Sequence, residues 1–146
     1  METVVIACPH CKALNKLPKK ESYKKAVCGS CKGDLLDNKP IEIASQEEFQ
    51  KIISSVTVPV IVDFWATWCG PCQMFANTFS KIAKEFPVKA NFLKVNTDEV
   101  PQVAAQFGIR SIPTIVAIQN GQEIDRIMGA VDEFSFAMWV DKIANP

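Results

Sequence analysis

Two cysteines lie at a junction between strand and helix patterns. Residues 58–65 are apolar except for Asp63, which is typical of a strand buried on both faces, and Trp68-Cys69-Gly70-Pro71-Cys72 follows two residues later. Pro71 suits the first turn of a helix, where a missing N–H costs no hydrogen bond. Because a helix N-terminus stabilises a thiolate, we expect Cys69 to be the nucleophile of an exchanging dithiol and Cys72 to lie shielded one turn inside the helix.

Residues 39–146 alternate between strand and helix patterns. Helices are predicted over residues 45–54, 71–86, 99–107 and 132–144, and strands over residues 58–65, 91–96, 114–119 and 122–128, the last two joined as a hairpin by Asn120-Gly121. This order predicts an α/β fold in which helices flank both faces of a mixed central sheet.

Residues 1–38 form a second unit of different composition. They hold four of the six cysteines as two Cys-x-x-Cys pairs and have too few large apolar side chains for a core of their own. The spacing predicts a small zinc-ribbon-like module in which four thiolates bind one Zn²⁺, which would supply the missing folding free energy; the ligands would be Cys8, Cys11, Cys28 and Cys31. Two disulfides or four free thiols are the alternatives. His10 is interpreted as an exposed turn residue, and the parts 1–38 and 39–146 are expected to be separable.

Residues 62–72 resemble the active-site segment of thioredoxins almost position by position, and the resemblance extends from about residue 41 to the C-terminus. With the cysteine module, the chain resembles the zinc-binding class often called thioredoxin 2. The resemblance implies the thioredoxin fold, with Asp63 helping to deprotonate Cys72 and Lys94 as its charged neighbour. Independently, a carboxyl within an apolar strand should be desolvated and its pKa raised, unless Asp63 lies at a strand edge facing solvent.

The same resemblance places further residues beside the dithiol. It implies a cis peptide bond between Ile112 and Pro113 whose neighbouring backbone pairs with the substrate, and a small-residue loop at Gly129. A trans proline and a strand-terminating glycine are the alternatives. Trp65 is expected in the core and Trp68 beside Cys69 as a shield, although both could be simple packing residues. The expected substrate-binding set is Trp68, Gly70, Pro71, Ile112, Pro113 and Gly129.

Two positions depart from the family pattern. Asn77 stands where many thioredoxins have a helix-kinking proline, which puts that kink in doubt. Gln73 stands where a basic residue is common, so less positive charge is available near the thiolate. Neither change affects the two cysteines themselves.

These features predict a protein-disulfide reductase with Cys69, Cys72, Asp63 and Lys94 as its catalytic residues. The resemblance implies disulfide-containing protein substrates and an NADPH-dependent flavoprotein thioredoxin reductase as electron donor, with no organic cofactor in this chain. A disulfide isomerase or oxidant, and a zinc-module docking protein on a thioredoxin-like scaffold, are the alternatives. The net charge of zero, the absence of long apolar runs and the lack of a basic, apolar start favour a cytoplasmic protein that binds neither nucleic acid nor membrane.

Overall fold

A computed structural model describes residues 2–146. The elements in chain order are β1 Thr3–Ala7, β2 Leu14–Pro18, β3 Ile41–Glu42, α1 Gln46–Ser55, β4 Val60–Trp65, α2 Gly70–Ala83, β5 Asn91–Asn96, α3 Pro101–Gln106, β6 Thr114–Gln119, β7 Gln122–Met128 and α4 Glu133–Ala144. Across residues 2–146, every helix is too short or too polar to cross a lipid bilayer.

A five-stranded mixed sheet in the order β3-β5-β4-β6-β7 organises residues 41–146. β4 lies at its centre, parallel to β5 and antiparallel to β6. Alternate residues of β4 enter two apolar clusters: Val62 and Phe64 lie with Phe49 of α1, and Ile61 lies with Phe75 of α2. This arrangement confirms the predicted mixed sheet with helices on both faces.

The predicted element boundaries differ from the observed ones mainly at helix ends. The third helix begins at Pro101 instead of residue 99, because a proline in the first turn fixes φ for helix entry. The second helix ends at Ala83 instead of residue 86, and the next residues form turns before Pro87. The two-residue strand β3 and the hairpin of β1 and β2 were not predicted.

The N-terminal segment folds onto the sheet domain and shares its apolar core. β1 and β2 form a two-stranded antiparallel sheet; Cys8 and Cys11 lie in the turn that joins the two strands, and Cys28 and Cys31 lie in a later turn. Ile6 and Leu35 belong to the same buried cluster as Phe49 and Ile52 of α1. Removal of residues 1–38 would therefore uncover apolar surface on the rest of the chain, at a cost of roughly 25 cal/mol per Å² exposed.

Buried amide side chains fasten the two parts together. The Asn91 side chain accepts a hydrogen bond from the Ala7 N–H and donates one to the Ala7 carbonyl, both 2.9 Å long. The Asn38 amide donates to three carbonyl oxygens at 2.9–3.1 Å. One belongs to Ala83, the last residue of α2, and the others belong to Phe86 and Ala90 in the segment after it. The Asn91 amide thus pairs both backbone groups of Ala7, and the Asn38 amide adds hydrogen bonds to the turn between α2 and β5.

The contact between Asn91 and Ala7 yields a stability test. Asn91→Ala leaves one buried N–H and one buried carbonyl without partners, so we expect the free energy of unfolding to fall by about 2 kcal/mol. Urea unfolding of the full chain measures this, with the exposed Asn77→Ala as control. Equal stability of the two variants would show that Asn91 does not fasten the segment.

Candidate functional site

The two active-site cysteines are positioned by the end of β4 and the first turn of α2. Cys69 is the N-cap of α2, and its Sγ accepts a hydrogen bond from the Cys72 N–H at 3.2 Å. The two sulfurs form a disulfide, with the Cα atoms 5.2 Å apart. Cys69 is 5% exposed and Cys72 2% exposed, so both sulfurs are largely shielded and Cys72 lies inside the helix as expected.

The loop before β6 lies against this disulfide. The Ile112–Pro113 peptide bond is cis, as the family resemblance implied, and the Ile112 carbonyl oxygen is 3.7 Å from the Cys69 Sγ. The Gly129 N–H donates to the Pro113 carbonyl at 2.8 Å. The structure thus places Ile112 beside Cys69 and joins Gly129 to the neighbouring Pro113.

The residues that flank Cys69 in sequence are exposed to solvent. Trp68 is 71% exposed, so it is not a packing residue, and Gly70 and Pro71 are also exposed. The Trp68 Nε1–H donates to the Asp98 Oδ2 at 2.9 Å. Sequence reasoning missed Asp98; the signal was its position just after β5, since the carboxyl ends of neighbouring parallel strands such as β4 and β5 meet at one edge of a sheet.

Asp63 is fully buried in β4, and neither carboxyl oxygen has a hydrogen-bond partner. Burial raises its pKa from 3.8 to about 7, while the charge of Lys94 lowers it to a smaller extent. Lys94 is its register partner on β5. The alternative of an acid facing solvent at a strand edge is therefore excluded.

Trp65 differs from its predicted place in the core. It is only partly buried, because it ends β4 where the sheet meets solvent, and its ring contacts the Lys94 ammonium, 4.6 Å from the ring centre.

The two residues that depart from the family pattern, Asn77 and Gln73, both lie in α2. Asn77 is exposed and the helix is continuous there, and the Gln73 side-chain amide donates a hydrogen bond to the Thr67 carbonyl at 3.1 Å.

The other four cysteines converge in two similar turns. Their sulfurs all lie within 4.8 Å of one another, with 3.8 Å between those of Cys8 and Cys31 and 3.6 Å between those of Cys11 and Cys28. Four sulfurs bound tetrahedrally at about 2.3 Å from one zinc ion would be about 3.8 Å apart. The cluster can therefore hold a metal ion, and these separations are too long for disulfides.

Backbone geometry repeats between the two turns. The N–H of Lys12 donates to the Cys8 carbonyl and the N–H of Lys32 to the Cys28 carbonyl, and both lysines have positive φ, 70° and 64°. The Cys31 N–H and the Asn15 amide donate to the Cys28 sulfur, which lowers the pKa of this thiol to about 6. Donors of this kind favour the thiolate that a metal requires, whereas burial raises the pKa of the Cys8 thiol in the same cluster.

His10 lies in the first turn outside this set of ligands. It is exposed as predicted, and its Nε2 is 2.8 Å from the Asp34 carbonyl oxygen. Four sulfurs already complete a tetrahedral shell, so the imidazole is not required as a ligand.

Comparison with known proteins agrees with this geometry. Residues 40–142 match the sequence model of the family described as Thioredoxin. The chain belongs to the thioredoxin family. Thioredoxin C-3 from Corynebacterium nephridii is 37% identical over 95% of this chain and 94% of its own length, so that similarity extends into the cysteine-rich segment. Thioredoxin 1 from a Nostoc species is 47% identical over 64% of this chain and 88% of its own.

A solved structure shares the fold. The thioredoxin Mala s 13 of Malassezia sympodialis is 37% identical, with a TM-score of 0.67 over 73% of this chain and 93% of its own. The thioredoxin fold is thus confirmed, and with the disulfide between Cys69 and Cys72 the protein is a protein-disulfide reductase.

The buried Asp63 makes stability depend on pH. Its pKa is higher in the folded than in the unfolded chain, so the folded state holds the proton more tightly and stability falls as pH rises from about 4 to 7. For the oxidised protein, we expect Asp63→Asn to raise the free energy of unfolding at pH 8 by up to about 4 kcal/mol and to change it little at pH 4. Urea unfolding at both pH values measures this.

The control for this measurement is Glu21→Gln, which removes an exposed carboxylate. A gain from Asp63→Asn that is the same at both pH values would contradict a buried, protonatable Asp63.

Proposed function

We propose that Cys69 attacks the substrate disulfide and that Cys72 resolves the resulting intermediate. The observation that carries this assignment is the N-cap position of Cys69, whose sulfur already accepts an N–H of the first turn of α2. A thiolate at this position gains from the hydrogen bond and from the helix dipole. Cys72, deeper in the helix and buried, is shielded from a substrate disulfide but lies within bonding reach of the Cys69 sulfur.

The reaction is a sequence of two thiol–disulfide exchanges. The Cys69 thiolate forms a bond to one substrate sulfur and displaces the other as a thiolate. Cys72 loses its proton to a base, and its sulfur attacks the Cys69 sulfur. This step releases, as a thiolate, the substrate sulfur that was bonded to Cys69. Two electrons pass from the dithiol to the substrate, which leaves reduced while the Cys69–Cys72 disulfide forms.

Asp63 is the proposed proton acceptor for Cys72. A carboxyl with a pKa near 7 takes up and gives back a proton at neutral pH more readily than an ordinary aspartate. No other protein group hydrogen-bonds to either of its oxygens. Lys94 would limit the rise of the Asp63 pKa through its charge.

The exposed surface around the disulfide is the proposed binding site for an extended substrate segment. The Ile112 carbonyl, next to the cis proline, lies beside Cys69. Trp68, Gly70 and Pro71, which flank Cys69 in sequence, are exposed. Family membership implies disulfide-containing proteins as substrates and a thioredoxin reductase as electron donor; we propose an NADPH-dependent flavoprotein for that donor. The Gly-Pro dipeptide between the cysteines favours a reductant over an oxidant or isomerase, whose dipeptides often contain histidine.

We further propose that the four N-terminal cysteines bind one Zn²⁺. When bound, the ion would neutralise thiolate charge and cross-link the two turns, which stabilises the segment that packs on α1. Free thiolates and a reducing dithiol both require a reducing compartment, which supports a cytoplasmic location. An intact dithiol argues against a mere scaffold for zinc-module docking.

The cysteine assignment predicts different behaviour for two serine variants. Cys72→Ser should accumulate a mixed disulfide with a protein substrate such as insulin, because nothing resolves it, whereas Cys69→Ser should neither trap nor reduce the substrate. Non-reducing electrophoresis and an insulin turbidity assay measure these outcomes. Equal trapping by both variants would overturn the order of attack.

The metal assignment predicts one zinc ion per chain. We expect Cys31→Ser to weaken zinc binding more than about 100-fold and Ser30→Ala, in the same turn, to leave it unchanged. Competition with a chromophoric chelator measures both. Full-strength binding by Cys31→Ser would rule out a four-sulfur site.

The same chelator distinguishes a structural from a redox-responsive zinc site. Cys11 and Cys31 are exposed, so peroxide can reach their sulfurs. Zinc release at peroxide levels that leave Cys69 and Cys72 reduced would support a redox-responsive site. Retention beyond those levels would show a structural clip.

A further inference from the structure

Three charged side chains form a row across neighbouring strands. Glu42 of β3 is in register with Lys94 of β5, and Lys94 is in register with Asp63 of β4. Register partners on parallel strands present their side chains to the same face of the sheet. Adjacent strands lie about 4.8 Å apart, so Glu42 is about 10 Å from Asp63, with Lys94 between them.

Lys94, the middle residue of the row, forms an ion pair with neither carboxylate. Within residues 2–146, no ion pair shorter than 4.0 Å involves Lys94. Its ammonium instead lies 4.6 Å from the centre of the Trp65 ring. Lys94 therefore acts on both carboxylates through space, without direct contact with either.

The two carboxylates differ in their access to water. Asp63 is fully buried, whereas Glu42 is exposed at the edge of the sheet, in an open groove that Trp65, Asn96 and Glu99 also line. Partial burial raises the pKa of Glu42, which Lys94 and Lys12 lower and Glu99 raises. Lys12 is itself held by Glu48, 3.1 Å from both carboxylate oxygens. The charged groups facing Glu42 are thus Lys94, Asp63, Glu99 and Lys12.

We propose that Glu42 is a positioning residue for thiol–disulfide exchange, whose negative charge offsets part of the attraction that Lys94 exerts on the buried Asp63 carboxylate. The proposal rests on the role of Asp63 as proton acceptor for Cys72. Without Glu42, the Asp63 carboxylate no longer feels the repulsion that offsets part of the attraction of Lys94, and Asp63 becomes a weaker base. Glu42 touches neither sulfur nor substrate and acts only through this row.

The test is a carboxyl ¹³C NMR titration of Asp63 in the oxidised full-length protein. Glu42→Gln removes the outer charge at nearly constant size, and the pKa of Asp63 should fall by about 0.5. Glu85→Gln removes an exposed carboxylate at the far end of α2 and should leave it unchanged. Glu42→Asp should restore most of the original value. An unchanged Asp63 pKa in Glu42→Gln overturns the proposal.

A kinetic arm separates this proposal from the one on which it rests. The rate of resolution of the mixed disulfide should shift its pH profile downward in Glu42→Gln, and the same substitution should have no effect in an Asp63→Asn background. If Asp63→Asn slows resolution while Glu42→Gln leaves the profile unchanged, Glu42 has no role and Asp63 keeps its own. If Asp63→Asn does not slow resolution, the proton-acceptor role fails, and with it the role of Glu42 in exchange.

Discussion

Burial of β4 on both faces is the constraint on which the site depends. Helices cover the sheet on either side, so the strand has no access to water along most of its length. That burial gives Asp63 its raised pKa, at a cost in stability. The same strand ends beside the N-terminus of α2 and so fixes Cys69 at the cap. The same packing therefore lowers stability at Asp63 and holds Cys69 at the helix N-terminus, where its thiolate is more reactive.

The N-terminal segment packs on the sheet domain and shares its apolar core. Its apolar residues join the cluster under α1, and its first strand is fastened to the start of β5 by Asn91. A metal in the cysteine cluster would lock the two turns, but the attachment to the sheet domain does not involve the metal. Metal–thiolate bonds would therefore add to stability separately from this packing and hydrogen bonding.

Local pattern was enough to predict the sheet domain and the dithiol. An apolar run with one acid predicted the buried Asp63, and the cysteine spacing predicted the convergence of four sulfurs. The hairpin of β1 and β2 could not be predicted, because its strands are short and its packing partners lie far along the chain. β2 also has asparagine and lysine at adjacent positions, which breaks the apolar pattern of a strand. The place of Trp65 and the contact between Trp68 and Asp98 depend on where neighbouring strands end, which no single segment encodes.

The bond between Ala7 and Asn91 joins residues 84 positions apart. A ribosome adds about 5 to 20 residues per second, so Ala7 is made roughly 4 to 17 s before Asn91. Until β5 is made, the nascent segment has no sheet to cover Cys8 and Cys28, the two cysteines that are buried in the finished protein. The order of synthesis thus exposes these thiols to the surrounding solution first and shields them only once β5 has emerged.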